Sequence, residues 1–187
     1  MLGLRQTLAA AAGVLLLAGT AHAAEPFVLT SPAFKDGGLL QLKNAGANKA
    51  NPNCIGENVS PPLAWANPPE GTKSFAIVMT NTEGQGGVGN VHWVAYGIPA
   101  SVTEIAEGEA SKPSEKFVAG KGGAGLDIFI GPCPPPNLGY LHYVFQLIAT
   151  DLDPKELPPG LTRDELFAKL KGHTKRGAAI VARYVRQ

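Results

Sequence analysis

Glycine and proline set the tightest limit on this chain. There are 23 Gly and 16 Pro among its 187 residues, about one residue in five against roughly one in eight in average usage. Helix interiors tolerate neither: glycine costs backbone entropy, and proline lacks an N–H and clashes with the preceding turn. A helix bundle is therefore excluded. So is disorder, because 44% of the residues are hydrophobic and the formal net charge is only +1, which leaves ample apolar surface to bury. What remains is a β-rich domain with long loops.

Apolar periodicity locates its elements. Lys73 to Asn81, KSFAIVMTN, reads as a strand with Phe75, Ile77, Met79 and Asn81 on one face. Val91 to Ile98 reads as a second, grouping His92, Val94, Tyr96 and Ile98. Both are largely apolar on both faces, which predicts central strands between two layers. Tyr140 to Thr150 is the longest strand candidate, with Leu141, Tyr143, Phe145, Leu147 and Ala149 together. The run 99–125 is weakly patterned and reads as a surface excursion. One helix is predicted from about Arg163 to Lys171: Thr162 and Glu165 form a capping box, Leu166, Phe167 and Leu170 the apolar side, and Gly172 the stop. Gly177 to Val185 reads as a closing strand. This order predicts an antiparallel sandwich rather than a βαβ array.

The N-terminus reads as an export signal. Arg5 is followed by an apolar run from Leu8 to Gly19, and Ala21-His22-Ala23 offers small residues where a signal peptidase cuts. Residues 1–23 are thus expected to be a signal peptide and 24–187 one domain, periplasmic or secreted. Thr20 stands where a lipoprotein would carry its acylated Cys. No other apolar run approaches a membrane span, and the 16 basic and 15 acidic residues form no block, so an integral membrane protein and a charge-driven nucleic-acid binder are both excluded. In an oxidising compartment Cys54 and Cys133 are expected to be bonded, with two buried free thiols as the alternative. Without C-x-x-C spacing they suggest no metal site.

Several motifs fail on context. Gly84 to Gly89 and Gly120 to Gly125 both match G-x-G-x-x-G, but that fingerprint works by aiming a helix N-terminus at a pyrophosphate. The first leads into a strand and the second into Ile128-Phe129-Ile130 and a proline cluster. No G-x-S-x-G occurs. His142 falls in a strand and His173 after a helix, which leaves His92 as the histidine between Gly-rich loops. No cofactor is expected.

Asn58-Val59-Ser60-Pro61-Pro62-Leu63-Ala64-Trp65, then Gly71-Thr72-Lys73-Ser74-Phe75-Ala76, then Val91-His92-Trp93-Val94, then Gly131-Pro132-Cys133-Pro134-Pro135, and finally Tyr143-Val144-Phe145 follow one another along the chain. Their order and spacing resemble the phosphatidylethanolamine-binding protein family, in its bacterial Raf-kinase-inhibitor-like branch, over roughly Phe27 to Arg186. The resemblance implies a mainly β, antiparallel two-sheet, Greek-key-like sandwich with long loops and one main C-terminal helix. It also implies a small pocket for phosphate-like anions, in a family chiefly of binding and regulatory modules. His92 and Tyr143 match pocket positions, and Pro134 and Pro135 match its wall.

Two departures stand out. The family's Asp-Pro-Asp-Ala-Pro is here Asn81-Thr82-Glu83-Gly84-Gln85, and its His-Arg-Tyr is Leu141-His142-Tyr143. An Asp beside His92 would favour its charged form, which Asn81 does not. Leu141 puts hydrocarbon where an imidazole would stand. The expected pocket is less polar and less cationic than the family's, with Asn81 or Glu83 supplying hydrogen bonds. It is expected to serve a small anionic or polar ligand, or a partner protein. A plainer reading makes His92 and Tyr143 a satisfied core pair and Glu83 a solvated loop residue. Two other readings are a hydrolase using His92 as general base beside a folded-back Glu83, and interaction purely through the surface.

Overall fold

A strand that is apolar on both faces needs a covering layer on each, and the chain provides two. The computed structural model describes residues 25–186; the expected signal peptide lies outside them. In chain order the strands are β1 (Val28–Thr30), β2 (Gly38–Leu39), β3 (Leu63–Ala66), β4 (Ser74–Asn81), β5 (Asn90–Pro99), β6 (Glu104–Ile105), β7 (Val118–Ala119), β8 (Leu141–Thr150) and β9 (Thr174–Tyr184). A single distorted turn, α1 (Gly84–Gly87), follows β4, and helix α2 (Arg163–Leu170) precedes β9. A six-stranded sheet runs β2-β9-β8-β4-β5-β7, and a three-stranded sheet runs β1-β3-β6. The fold is mainly β, with two sheets and one principal helix.

β4 occupies the middle. Phe75, Ile77 and Met79 share a core with Leu29, Leu63, Trp65 and Ile105 from the small sheet. Phe75 is fully buried, with its ring 6.0 Å from that of Phe27 and 5.4 Å from that of Trp65. Burying a side chain of this size is worth about 1.5–3 kcal/mol. On the opposite face, Ala76 and Val78 pack with Val94, Tyr96, Leu166 and Leu170, so α2 covers the sheet's other side. The predicted cap holds α2: Thr162 Oγ1 accepts from Glu165 N, and Thr162 N donates to Glu165 Oε2 at 2.9 Å. Tyr96 ties the preceding loop down, donating to Pro158 O at 2.6 Å and accepting from Leu161 N at 3.1 Å.

Four expectations need correction. β2 pairs with β9 in parallel, so the large sheet is not wholly antiparallel. Phe167 is not on the buried side of α2; it is exposed, while Leu166 and Leu170 are buried. The run 99–125 is not only a surface excursion, since it supplies β6 and β7 and buries Ile105, Ala110 and Phe117. Finally, His92, Val94, Tyr96 and Ile98 do not share a face. Met79 pairs with Trp93 but Thr80 with Val91, and Ile77 pairs with Ala95 but Phe75 with Ile98. Each shift inserts one extra residue into β5, and each β-bulge re-aims a side chain. Ile98 thereby joins Trp93 and Ala95 in the inter-sheet core, while Val94 and Tyr96 face α2.

Candidate functional site

The first of these bulges builds the site. Strict alternation would turn His92 away from the face that carries Trp93. The extra residue swings the imidazole to the inter-sheet side instead, where it meets Tyr143 edge-on with ring centroids 5.2 Å apart. Asn81 pairs with Tyr143 across the β4–β8 ladder and with Asn90 across β4–β5. The ends of three neighbouring strands therefore deliver Asn81, Asn90, His92 and Tyr143 to one place.

They form the floor of a cavity of about 580 Å³, a size typical of small-molecule sites. All seven residues read from the sequence line it: Asn81, Glu83, His92, Pro134, Pro135, Leu141 and Tyr143. Leu126 and Leu138, exposed and apolar, add to its rim. Asn48, Asn51, Gln85, Asn90 and Ile130 also line it. Sequence reasoning missed these, and only Asn90, which directly precedes the His92 strand, carried a local signal.

The wall at 131–135 is pinned by covalent and polar links. Cys54 and Cys133 are bonded across a separation of 79 residues, and both line the cavity. Asn58 Nδ2 donates to Phe129 O, and Gly131 N donates to Asn58 Oδ1, each at 2.8 Å. Gly131 must be glycine here, because a Cβ would stand 2.0 Å from Asn44 O.

Hydrogen bonding determines the form of His92. Its Nδ1 lies 2.7 Å from Ile130 O, and a carbonyl can only accept, so Nδ1 carries the proton. Nε2, 3.3 Å from Asn90 Nδ2, is then an acceptor in the neutral ring. Burial lowers the histidine's proton affinity and outweighs the opposing bond to Ile130. Tyr143 Oη makes no hydrogen bond among the described residues; burial, with the nearby negative charge of Glu83, raises its pKa.

Glu83 folds back, but not to His92. Its Oε1 lies 2.6 Å from His142 Nδ1, and its Oε2 accepts from His142 N, Asn81 Nδ2 and Thr82 Oγ1 at 3.1, 3.0 and 2.9 Å. Burial pushes its pKa up, yet these bonds win and hold the carboxyl at about 2. The hydrolase arrangement of Glu83 beside His92 is thus not formed. Glu83 instead clips the Gly-rich loop to the start of β8. In that loop α1 is one turn with Gln85 at φ 53° and Gly86 at φ 72°, so it offers no helix N-terminus to a pyrophosphate.

A family model described as phosphatidylethanolamine-binding protein matches residues 30–185. The UPF0098 protein of Aquifex aeolicus is 34% identical over 134 residues, 71% of this chain and 78% of its own. A Mycobacterium tuberculosis protein named as lipoprotein LppC is 34% identical over 142 residues, 76% of this chain and 64% of its own. The crystal structure of YbcL from Escherichia coli, described as a member of the mammalian PEBP family, resembles this fold with a TM-score of 0.76 at 29% identity. It covers 86% of this chain and 99% of that one.

Proposed function

The chain belongs to the phosphatidylethanolamine-binding protein family, and on that premise we propose that it is an exported binding module, not an enzyme, whose cavity takes the polar head of a small ligand. One observation carries this reading: a cavity of about 580 Å³ joins a polar floor to an apolar rim, and the Tyr143 hydroxyl on that floor makes no hydrogen bond among the described residues. Among the described residues the buried polar side-chain atoms without partners are Trp65 Nε1 and Trp93 Nε1; the Tyr143 hydroxyl is not one of them, so it opens to the cavity, where a ligand can reach it. Export is supported by the N-terminal pattern, by the Cys54–Cys133 bond and by the relative named as a lipoprotein.

The test is a ligand screen of the purified protein by two-dimensional NMR, using small phosphates, amines, alcohols and carboxylates. Shifts confined to Asn81, Asn90, His92 and Tyr143, abolished in Tyr143→Phe, are expected. If no probe moves these signals while a partner protein binds elsewhere, the surface-mediated reading replaces this one. Hydrolysis of an ester or phosphate panel that is lost in His92→Ala would overturn the binding-module reading in favour of an enzyme.

A further inference from the structure

Three segments of the chain meet at Asn58, and each of its four polar atoms makes a hydrogen bond. Its N–H donates to Ala45 O at 2.7 Å, and its carbonyl accepts from Ser111 Oγ at 2.5 Å. Ser111 Oγ in turn accepts from Ser60 N at 2.8 Å, so the backbone of 58–60 is clasped to residue 111. The side-chain amide spans a third segment, donating from Nδ2 to Phe129 O and accepting at Oδ1 from Gly131 N. A carbonyl only accepts and a backbone N–H only donates, which fixes the orientation of the amide.

These two bonds bracket Ile130, the residue that holds His92. Residues 129–135 lie in no strand or helix, so no ladder sets the direction of the Ile130 carbonyl. In a planar trans peptide the C=O and N–H point opposite ways, and fixing one fixes the other. The peptide joining Phe129 to Ile130 has its C=O on Asn58 Nδ2 and its N–H on His92 O, at 2.8 and 3.0 Å. The peptide joining Ile130 to Gly131 has its N–H on Asn58 Oδ1 and its C=O on His92 Nδ1, at 2.8 and 2.7 Å. Both planes therefore stand between Asn58 and His92, each bonded at both edges. Asn58 itself is not among the residues that line the cavity. Its φ of 58° lies in the left-handed region, where Asn is enriched among residues with a side chain.

Resting on the reading of the cavity as a ligand site, we propose that Asn58 is a positioning residue of that site. Through the two peptide planes it aims the Ile130 carbonyl, and with it sets the tautomer and direction of the His92 ring. Which ring nitrogen carries the proton follows from the hydrogen bond the ring makes. Nδ1–H is committed to Ile130 O, and Nε2 is left unprotonated beside Asn90. Without the Asn58 amide both planes are free to tilt, the bond to Nδ1 weakens, and the ring takes up its other tautomer in part.

The ring nitrogen-15 chemical shifts of His92 at pH 8 test this, assigned by their loss in His92→Gln. The wild type is expected to carry the proton on Nδ1. Asn58→Gly, which tolerates the left-handed backbone and removes the amide, is expected to populate the Nε2–H form to roughly a third or more. Asn58→Asp keeps the acceptor for Gly131 N and loses the donor to Phe129 O. It is expected to shift less in the same direction, and it carries the test if the glycine variant does not fold. Asn44→Ala is the control. Asn44 is buried and its amide also joins two backbone groups, Val59 O and Gln41 N, neither of which flanks Ile130. Its loss is expected to lower stability and leave the tautomer unchanged. A proton that stays on Nδ1 in both Asn58 variants, or that moves as far in Asn44→Ala, overturns the inference.

Titration with inorganic phosphate, n-butylamine, n-butanol and butyrate judges the ligand site separately. The probe that the wild type binds most tightly is expected to lose about fivefold or more in Asn58→Gly. A shifted tautomer with unchanged affinity overturns the positioning role. A shifted tautomer with no probe bound by the wild type overturns the ligand site and leaves the hold of Asn58 on His92 in place.

Discussion

His92 stands edge-on to Tyr143, with ring planes 79° apart, only because β5 carries one residue more than β4 at that point. Without the bulge the imidazole would face the α2 side of the sheet and leave the cavity floor. The same shift brings Nδ1 against Ile130 O, which locks the tautomer. Position and chemistry of this histidine therefore follow from a single inserted residue.

Burial of neutral His92 predicts an acid-side loss of stability. Its folded pKa lies below the usual 6.5, so the unfolded chain binds the proton more readily. The contribution is complete above about pH 6.5 and declines as pH falls through that value toward the folded pKa. Denaturation midpoints between pH 8 and pH 5 should fall for the wild type and fall less for His92→Gln. Parallel profiles would refute the assignment.

Glu83 adds a separate, lower window. Its carboxyl, depressed from 4.5 to about 2, stabilises the clipped loop above about pH 4.5, and that contribution is lost as pH falls toward 2. Glu83→Gln should increase hydrogen exchange at the amides of 84–89 at pH 7 and leave the β4–β8 ladder protected.

Asn81→Asp should destabilise rather than repair the pocket. An aspartate cannot donate to Glu83 Oε2 or His142 O, and it sets a second carboxylate where 3.0 Å now separates Asn81 from Glu83. A cost of about 1–3 kcal/mol at pH 7 is expected from the lost donors, shrinking at acid pH as the pair protonates. The combination Asn81→Asp, Leu141→His, Glu83→Gln removes that conflict and adds an imidazole. Titration should then show phosphate binding more tightly than to the wild type.

Cys54→Ser with Cys133→Ser should lower stability by roughly 4 kcal/mol, the chain-entropy value for a loop of this length. It should also loosen the wall at 131–135. Urea midpoints measure the first effect, and ligand affinity in the still-folded variant measures the second.

Tyr96→Phe removes the partner of two backbone groups, Pro158 O and Leu161 N. Because Pro158 is exposed and Leu161 half-buried, water can replace the hydroxyl, and a loss of about 0.5–1.5 kcal/mol is expected. Calorimetric melting checks it, and ligand binding at the distant cavity should be unchanged.

Much of the fold was legible because its signals are local. Glycine and proline content excluded a helical protein, alternating apolar residues marked β4 and β8, and Thr162 with Glu165 marked α2. The ordered motifs from Asn58 to Phe145 carried the family and, with it, all seven cavity residues. What stayed hidden was relational. Nothing near Glu83 says that it will reach His142, which lies 59 positions along the chain. The short strands β6 and β7 have only two residues each, too few for a period to register.

By itself, then, the sequence determined the four long strands, the capped helix and the residue types that gather at the cavity, because each depends on neighbours along the chain. The tertiary structure decided which way those residues face. Pairing register is chosen across strands, and one extra residue in β5 reverses the alternation that a single strand would obey. That choice put His92 beside Tyr143, and the return of the Gly-rich loop put Glu83 on His142.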